Sequence, residues 1–215
     1  MSGPRQTTAD PEAIGLYQGL ENLPLALWED LARMNPDGVS RRAAVLRKPD
    51  GALVVPFLGT NYAVFPEART IQAPAGVRPP GFQSGLVILA YLIGADDIDL
   101  SGRMVTEREL NGGALFFQGP HALSKAPVLE RFGGDPGGLM ERALKMGATP
   151  LKAGDAAFRL LALPKVLVAY TLYRGDDEFP AELTITFDAH TDRHLPLDGI
   201  FAMINVLTRR LGREG

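Results

Sequence analysis

The 215 residues carry 22 Lys and Arg against 25 Asp and Glu, a formal net charge of −3, with 46% hydrophobic residues and no cysteine. That balance is too apolar for a disordered chain, too charged for a membrane protein, and lacks the basic excess that binds nucleic acid or anionic lipid. The lack of cysteine excludes disulfides, a cysteine nucleophile and an iron–sulfur cluster with cysteine ligands.

The opening MSGPRQTTADPEA has no apolar stretch of the kind a secretory signal needs. Residues 1–9 read as a disordered leader, followed by one domain over 10–215. Between 11 and 34 the pattern is helical, with Ile14, Leu16, Leu20 and Leu23, then LPLALWEDLARM carrying an i, i+3, i+4 apolar stripe behind Pro24. Trp28 lies on that stripe and reads as a core anchor. NPDG (35–38) reads as the turn that ends the helix.

A β-meander follows, in which AAVLRK, GALVVPFLG and TNYAVFPE are separated by the hairpin signals PDG and GTN. Pro56 inside the second run predicts an edge or a bulge. The densest basic stretch, RRAAVLRK (41–48), reads as a solvated helix end and an edge strand. APAGVRPPG (73–81) is a rigid connector and the best internal boundary.

FQSGLVILAYLIGA is apolar nearly all round and predicts a buried helix stopped near Gly94. Its apolar core, GLVILAYLIGA (85–95), is 11 residues long, too short to span a bilayer. A soluble, cytoplasmic protein with no membrane or nucleic-acid partner is expected. SGRMVTERELNGGALFF then leads to a helical region near HALSKAPVLERFGG, and Asp135-Pro136 caps a further helix, DPGGLMERALKMGA.

DAAFRLLAL, KVLVAYTLYRGDDE and AELTITFDA predict three antiparallel strands, turned at Pro164-Lys165 and at GDDEFP (175–180). From Leu197, GIFAMINVLTRRLG closes as a helix with basic residues in its last turn. The order gives an α+β fold: an N-terminal meander and a C-terminal sheet, both antiparallel, with helices packed around them. Whether the β segments form one sheet or two stays open.

The stretch FDAHTDRHLP (187–196) places Asp188, His190, Asp192 and His194 at every second position. In a strand such residues share one face about 6.6 Å apart, and two imidazoles with carboxylates suit zinc or another divalent metal. A straight line of four cannot converge on one ion, however. Asp188 can instead accept backbone N–H groups and close an Asx-type turn, with Leu195 and Pro196 leading into the last helix. The turn is the preferred reading and the metal site the alternative.

His121 sits at a loop-to-helix transition and reads as a surface or capping residue. Asp176, Asp177 and Glu178 crowd a hairpin tip, a poor setting for a catalytic pair, which needs two unlike environments. Glu107, Arg108 and Glu109 precede NGG, whose glycines let the backbone approach a ligand or merely turn. GGDPGG (133–138) is a helix-cap loop, because Pro136 removes an N–H that a phosphate cradle would use. No dinucleotide fingerprint, Walker loop, nucleophile elbow or zincin motif occurs in a supporting context.

From about residue 25 to 211 the chain resembles the prokaryotic domain of unknown function 3786 (DUF3786) family. The likeness is carried by the Trp-containing helix, by VPFLGTNYAV, by ILAYLIGADDIDLSGRMVTERELNGGALFF and, most specifically, by GDDEFPAELTITFDAHTDRHLP. The family is found mainly in anaerobes, and no activity, cofactor or substrate can be carried over from it. Some members carry a cysteine-rich iron–sulfur module, which this chain, without Cys, cannot hold. In FDAHTDRHLP the family-like positions are Phe187, Asp188, Leu195 and Pro196. His190 and His194 stand where the family has a small polar and an aromatic residue, so a metal site there would be peculiar to this chain. The family-like form of Asp177, Glu178, Phe179 and Pro180 implies a turn of fixed shape.

The resulting expectation is a non-catalytic domain that binds a small molecule or a protein, an accessory factor in anaerobic metabolism. Its ligand-binding candidates are Arg108, Glu109, Asp177, Glu178 and Asp188, and its cofactor is undetermined. The alternative is a metal-dependent hydrolase or lyase using Asp188, His190, Asp192 and His194.

Overall fold

The computed structural model describes residues 19–213. The leader at 1–9 and the positions of Ile14 and Leu16 lie outside them. After a 3-10 turn at Leu20–Asn22 come α1 (Leu25–Arg33) and α2 (Pro36–Arg42). The second helix corrects the reading of NPDG as a simple stop. Asn35 accepts the Gly38 amide at 2.9 Å and Pro36 takes the first helical position, so the same four residues that end α1 start α2. Trp28 is buried as expected, whereas Leu25 on the same predicted stripe is exposed.

The meander has four strands rather than three: β1 (Leu46–Arg47), β2 (Leu53–Phe57), β3 (Thr60–Phe65) and β4 (Thr70–Gln72), in that order. The expected strand AAVLRK shrinks to two residues because Arg41 and Arg42 finish α2 and the chain must still turn. Pro56 lies beyond the β1 pairing, on the part of β2 that only β3 flanks in this sheet. Leu58 and Gly59, at φ 48° and 78°, make the tight turn between β2 and β3.

Residues 73–81 lead into α3 (Phe82–Gly94). β5 (Met104–Val105), a 3-10 turn at Glu107–Glu109, α4 (Gly113–Phe116), a 3-10 turn at Gly119–His121, α5 (Ala126–Phe132) and α6 (Pro136–Lys145) follow. The C-terminal part holds β6 (Thr149–Pro150), β7 (Ala156–Leu163), β8 (Val166–Tyr173), β9 (Glu182–Asp188), α7 (Thr191–His194) and α8 (Leu197–Gly212). Its sheet is antiparallel, in the order β5-β9-β8-β7-β6, so the three expected strands gain two short edges. β8 stops at Tyr173, before the acidic tip. The two β segments are thus two sheets. They meet where the Leu58 amide donates to the Ala162 carbonyl at 3.0 Å.

The core draws on both sheets and, among the helices, is densest where α3 packs on α8. Val87, Ile88, Leu89, Tyr91 and Leu92 of α3, and Ile200, Met203, Ile204, Leu207 and Leu211 of α8, are each buried from water. Each large aliphatic side chain so buried stabilises the fold by about 1.5–3 kcal/mol before ordering costs. Three tyrosines tie this layer to the rest. Tyr91 Oη donates to Ala43 O (2.8 Å) and accepts from Lys165 N (3.2 Å), Tyr170 Oη shares a hydrogen bond with Thr208 Oγ1 (2.9 Å), and Tyr62 Oη accepts from Arg210. Burial pushes the first two phenols well above their ordinary pKa. No described helix is long and apolar enough to cross a membrane.

Candidate functional site

Asp188 ends β9 and is fully buried. It accepts the Ser101 and Gly102 amides at 3.0 and 2.8 Å, the Ser101 hydroxyl at 3.0 Å and the His190 amide at 2.9 Å. The last of these closes an Asx turn. Burial pushes its carboxyl up, but the donors from His190, Ser101 and Gly102 outweigh this and hold it below the usual range.

The other three residues of FDAHTDRH go to different places. His190 hydrogen-bonds through Nδ1 to Asp99 O at 2.8 Å. Asp192 accepts the Asn111 amide at 2.7 Å. His194 is fully buried and accepts the Asp96 amide on Nδ1 at 3.3 Å. Four side chains from one short stretch thereby hold four points of the segment between Asp96 and Asn111. Among the described residues, no group of three or more His, Cys, Asp or Glu side chains is placed to hold a metal ion.

Around His194 lies a polar cluster that sequence reasoning missed. Lys165, buried in the β7–β8 turn, donates to Asp96 O at 3.2 Å and stands 4.0 Å from Asp97. Asp96 pairs with Arg193, and Asp97 with Arg41 at 3.7 Å. Burial lowers the pKa of His194, and the Lys165 charge lowers it further. His194 Nε2 and Thr191 Oγ1 are buried without a partner among the described residues.

The remaining predicted residues do not converge. Arg108 is exposed in its 3-10 turn, and Glu109 accepts the Thr106 amide at 2.9 Å and hydroxyl at 3.0 Å in a capping box. β5 pairs Met104 with Asp188, so this segment lies at the C-terminal end of β9. Asp177 and Glu178 are exposed before the opposite end of that strand, and Asp176 fixes the tip by accepting the Glu178 and Phe179 amides at 2.9 and 2.7 Å. The strand Glu182–Asp188 alone separates the two groups by about 20 Å at 3.3 Å per residue. The NGG glycines serve the chain's own packing: a Cβ on Gly113 would lie 1.9 Å from Glu107 O. His121 is exposed and stacks on Phe116 with its ring centroid 4.7 Å away.

A cleft of about 400 Å³ opens where the meander meets the C-terminal helices. It is lined by the Leu58–Thr60 turn, by Arg142, Lys145 and Met146 at the end of α6, and by Arg210 and Arg213 at the end of α8, with no acidic residue among them. Arg142 donates from Nε and Nη2 to Arg210 O at 3.3 and 3.0 Å. The Arg210 guanidinium lies 5.6 Å from the Phe57 ring centroid and donates to Tyr62 Oη at 3.1 Å. Lys145 pairs with Glu141 at 2.6 Å, but Arg142, Arg210 and Arg213 have no carboxylate partner among the described residues. Sequence gave one hint, the basic last turn of α8, which read as dipole compensation.

The family model described as Domain of unknown function (DUF3786) matches residues 35–210, and the chain belongs to that family. No curated protein and no solved structure matches it.

Proposed function

We propose that this DUF3786 member is a non-catalytic accessory protein of anaerobic metabolism that binds a small molecule in the cleft between the β2–β3 turn and the ends of α6 and α8. The observation that carries this reading is the set of three guanidinium groups that have no carboxylate partner among the described residues, in a concave seam built by both halves of the chain. The titratable residues of FDAHTDRH support it indirectly, since each already holds a separate stretch of backbone. Arg108, Asp177 and Glu178, at opposite ends of β9, are proposed only as surface contacts for a protein partner.

The test is ligand screening by thermal shift, together with elemental analysis of untagged protein purified anaerobically without chelator. A compound that stabilises the wild-type chain but not an Arg213→Ala variant supports the reading. About one equivalent of a transition metal, lost in the His190→Ala/His194→Ala double variant, would replace it with a metal-dependent hydrolase or lyase.

A further inference from the structure

We infer that the ligand of this cleft is a phosphorylated small molecule, whose phosphate sits between Arg142, Arg210 and Arg213 over the Leu58–Thr60 turn. This rests on the binding reading above and names its chemistry. Arg142 and Arg210 are half-buried, and both are fixed, one by the α8 carbonyl it caps and the other by Phe57 and Tyr62. Neither faces a carboxylate among the described residues; partly desolvated cations so placed are costly, and an anion between them removes that cost.

A structural role for these arginines exists, because Arg142 caps α8 and all three lie near the negative end of its dipole. That end and the C-terminal end of α6 each carry about half an elementary charge, however, against three guanidiniums. The surplus calls for a ligand of about two negative charges, and a phosphate group at neutral pH supplies about −1.5 to −2 together with three acceptor oxygens. Guanidinium forks match those oxygens in pairs, which a lysine cluster would not do. The volume of about 400 Å³ exceeds that of the phosphate alone and leaves room for the molecule that bears it.

The turn contributes shape. Gly59 has a φ of 78°, and a Cβ there would stand 2.9 Å from Met146 O, so the backbone lies directly against the end of α6 where both line the cleft.

The experiment is a titration of the isotopically labelled 215-residue chain with inorganic pyrophosphate, following the backbone amides of Gly59 and Thr60 by NMR and the affinity by calorimetry. Saturable shifts at these amides are expected, with binding at least fivefold weaker in Arg213→Ala and weakened by added salt. Arg213 is exposed and its side chain makes no hydrogen bond or ion pair among the described residues, so that variant should fold as the parent does. Arg142→Lys keeps the charge but removes both the fork and its grip on the Arg210 carbonyl, and should weaken binding about tenfold. Absence of saturable shifts with pyrophosphate, or shifts indifferent to Arg213→Ala, would overturn the inference. If malonate or a neutral compound moves the same amides when pyrophosphate does not, the phosphate assignment falls and the binding cleft stands. If no compound moves them, both fall.

Discussion

His194 accepts the Asp96 amide hydrogen on Nδ1, so the ring is neutral with its proton on the buried Nε2. The groups facing it are Lys165, Asp96, His190 and Asp188, and burial with the Lys165 charge lowers its pKa from the ordinary 6.5. The folded state therefore binds fewer protons than the unfolded one as pH falls past that value. The stability this neutral ring contributes is complete above about pH 6.5 and is lost toward the lower folded pKa. Urea denaturation should show lower stability at about pH 5.5 than at about pH 7.5. His194→Gln should flatten that difference. An equal pH dependence in parent and variant would disprove the assignment.

Asp188 is the acceptor for four donors in the Ser101–Gly102 loop and the following turn. Asp188→Ala orphans them and should cost about 3 kcal/mol by chemical denaturation, with Asp188→Asn costing less because one acceptor survives. Its lowered pKa acts in the same direction further down the pH scale: the carboxylate's contribution is present above its unfolded pKa of about 3.9 and is lost as pH falls below it. An alanine variant within 0.5 kcal/mol of the parent, roughly the ordinary effect of a surface change, would rule out this role.

Gly59 combines a positive φ with a close approach to the Met146 carbonyl. Gly59→Ala should therefore destabilise by about 1–3 kcal/mol and displace the Leu58–Ala162 contact. Hydrogen exchange at the Leu58 amide gives the local readout. An unchanged exchange rate would show that the turn accommodates a side chain.

Long hairpin strands and the buried helix were legible because their signals are local. PDG, GTN and Pro164-Lys165 mark turns, and the unbroken apolar surface of 85–95 marks burial. The edge strands β4, β5 and β6 were not, since two or three residues carry no periodicity and owe their conformation to the neighbour they pair with. NPDG misled because Asn-Pro serves equally as turn chemistry and as a helix cap. In FDAHTDRH the Asx turn at Asp188 could be read from its place after a strand. The partners of His190, Asp192 and His194 lie 81 to 98 residues away and could not. The cleft was illegible for the same reason, because Arg142 and the Arg210 carbonyl it grips are 68 residues apart.

The meeting of Leu58 and Ala162 has a further consequence. β6 pairs with β7 only at Phe158 and Arg159, so beyond that point the outer rim of β7 would offer bare carbonyl and amide groups to any passing strand. The Leu58 amide occupies the Ala162 carbonyl on that rim. The small meander thus works as a gatekeeper for the larger sheet, and a chain whose meander has come loose should be prone to stack with its own copies and aggregate.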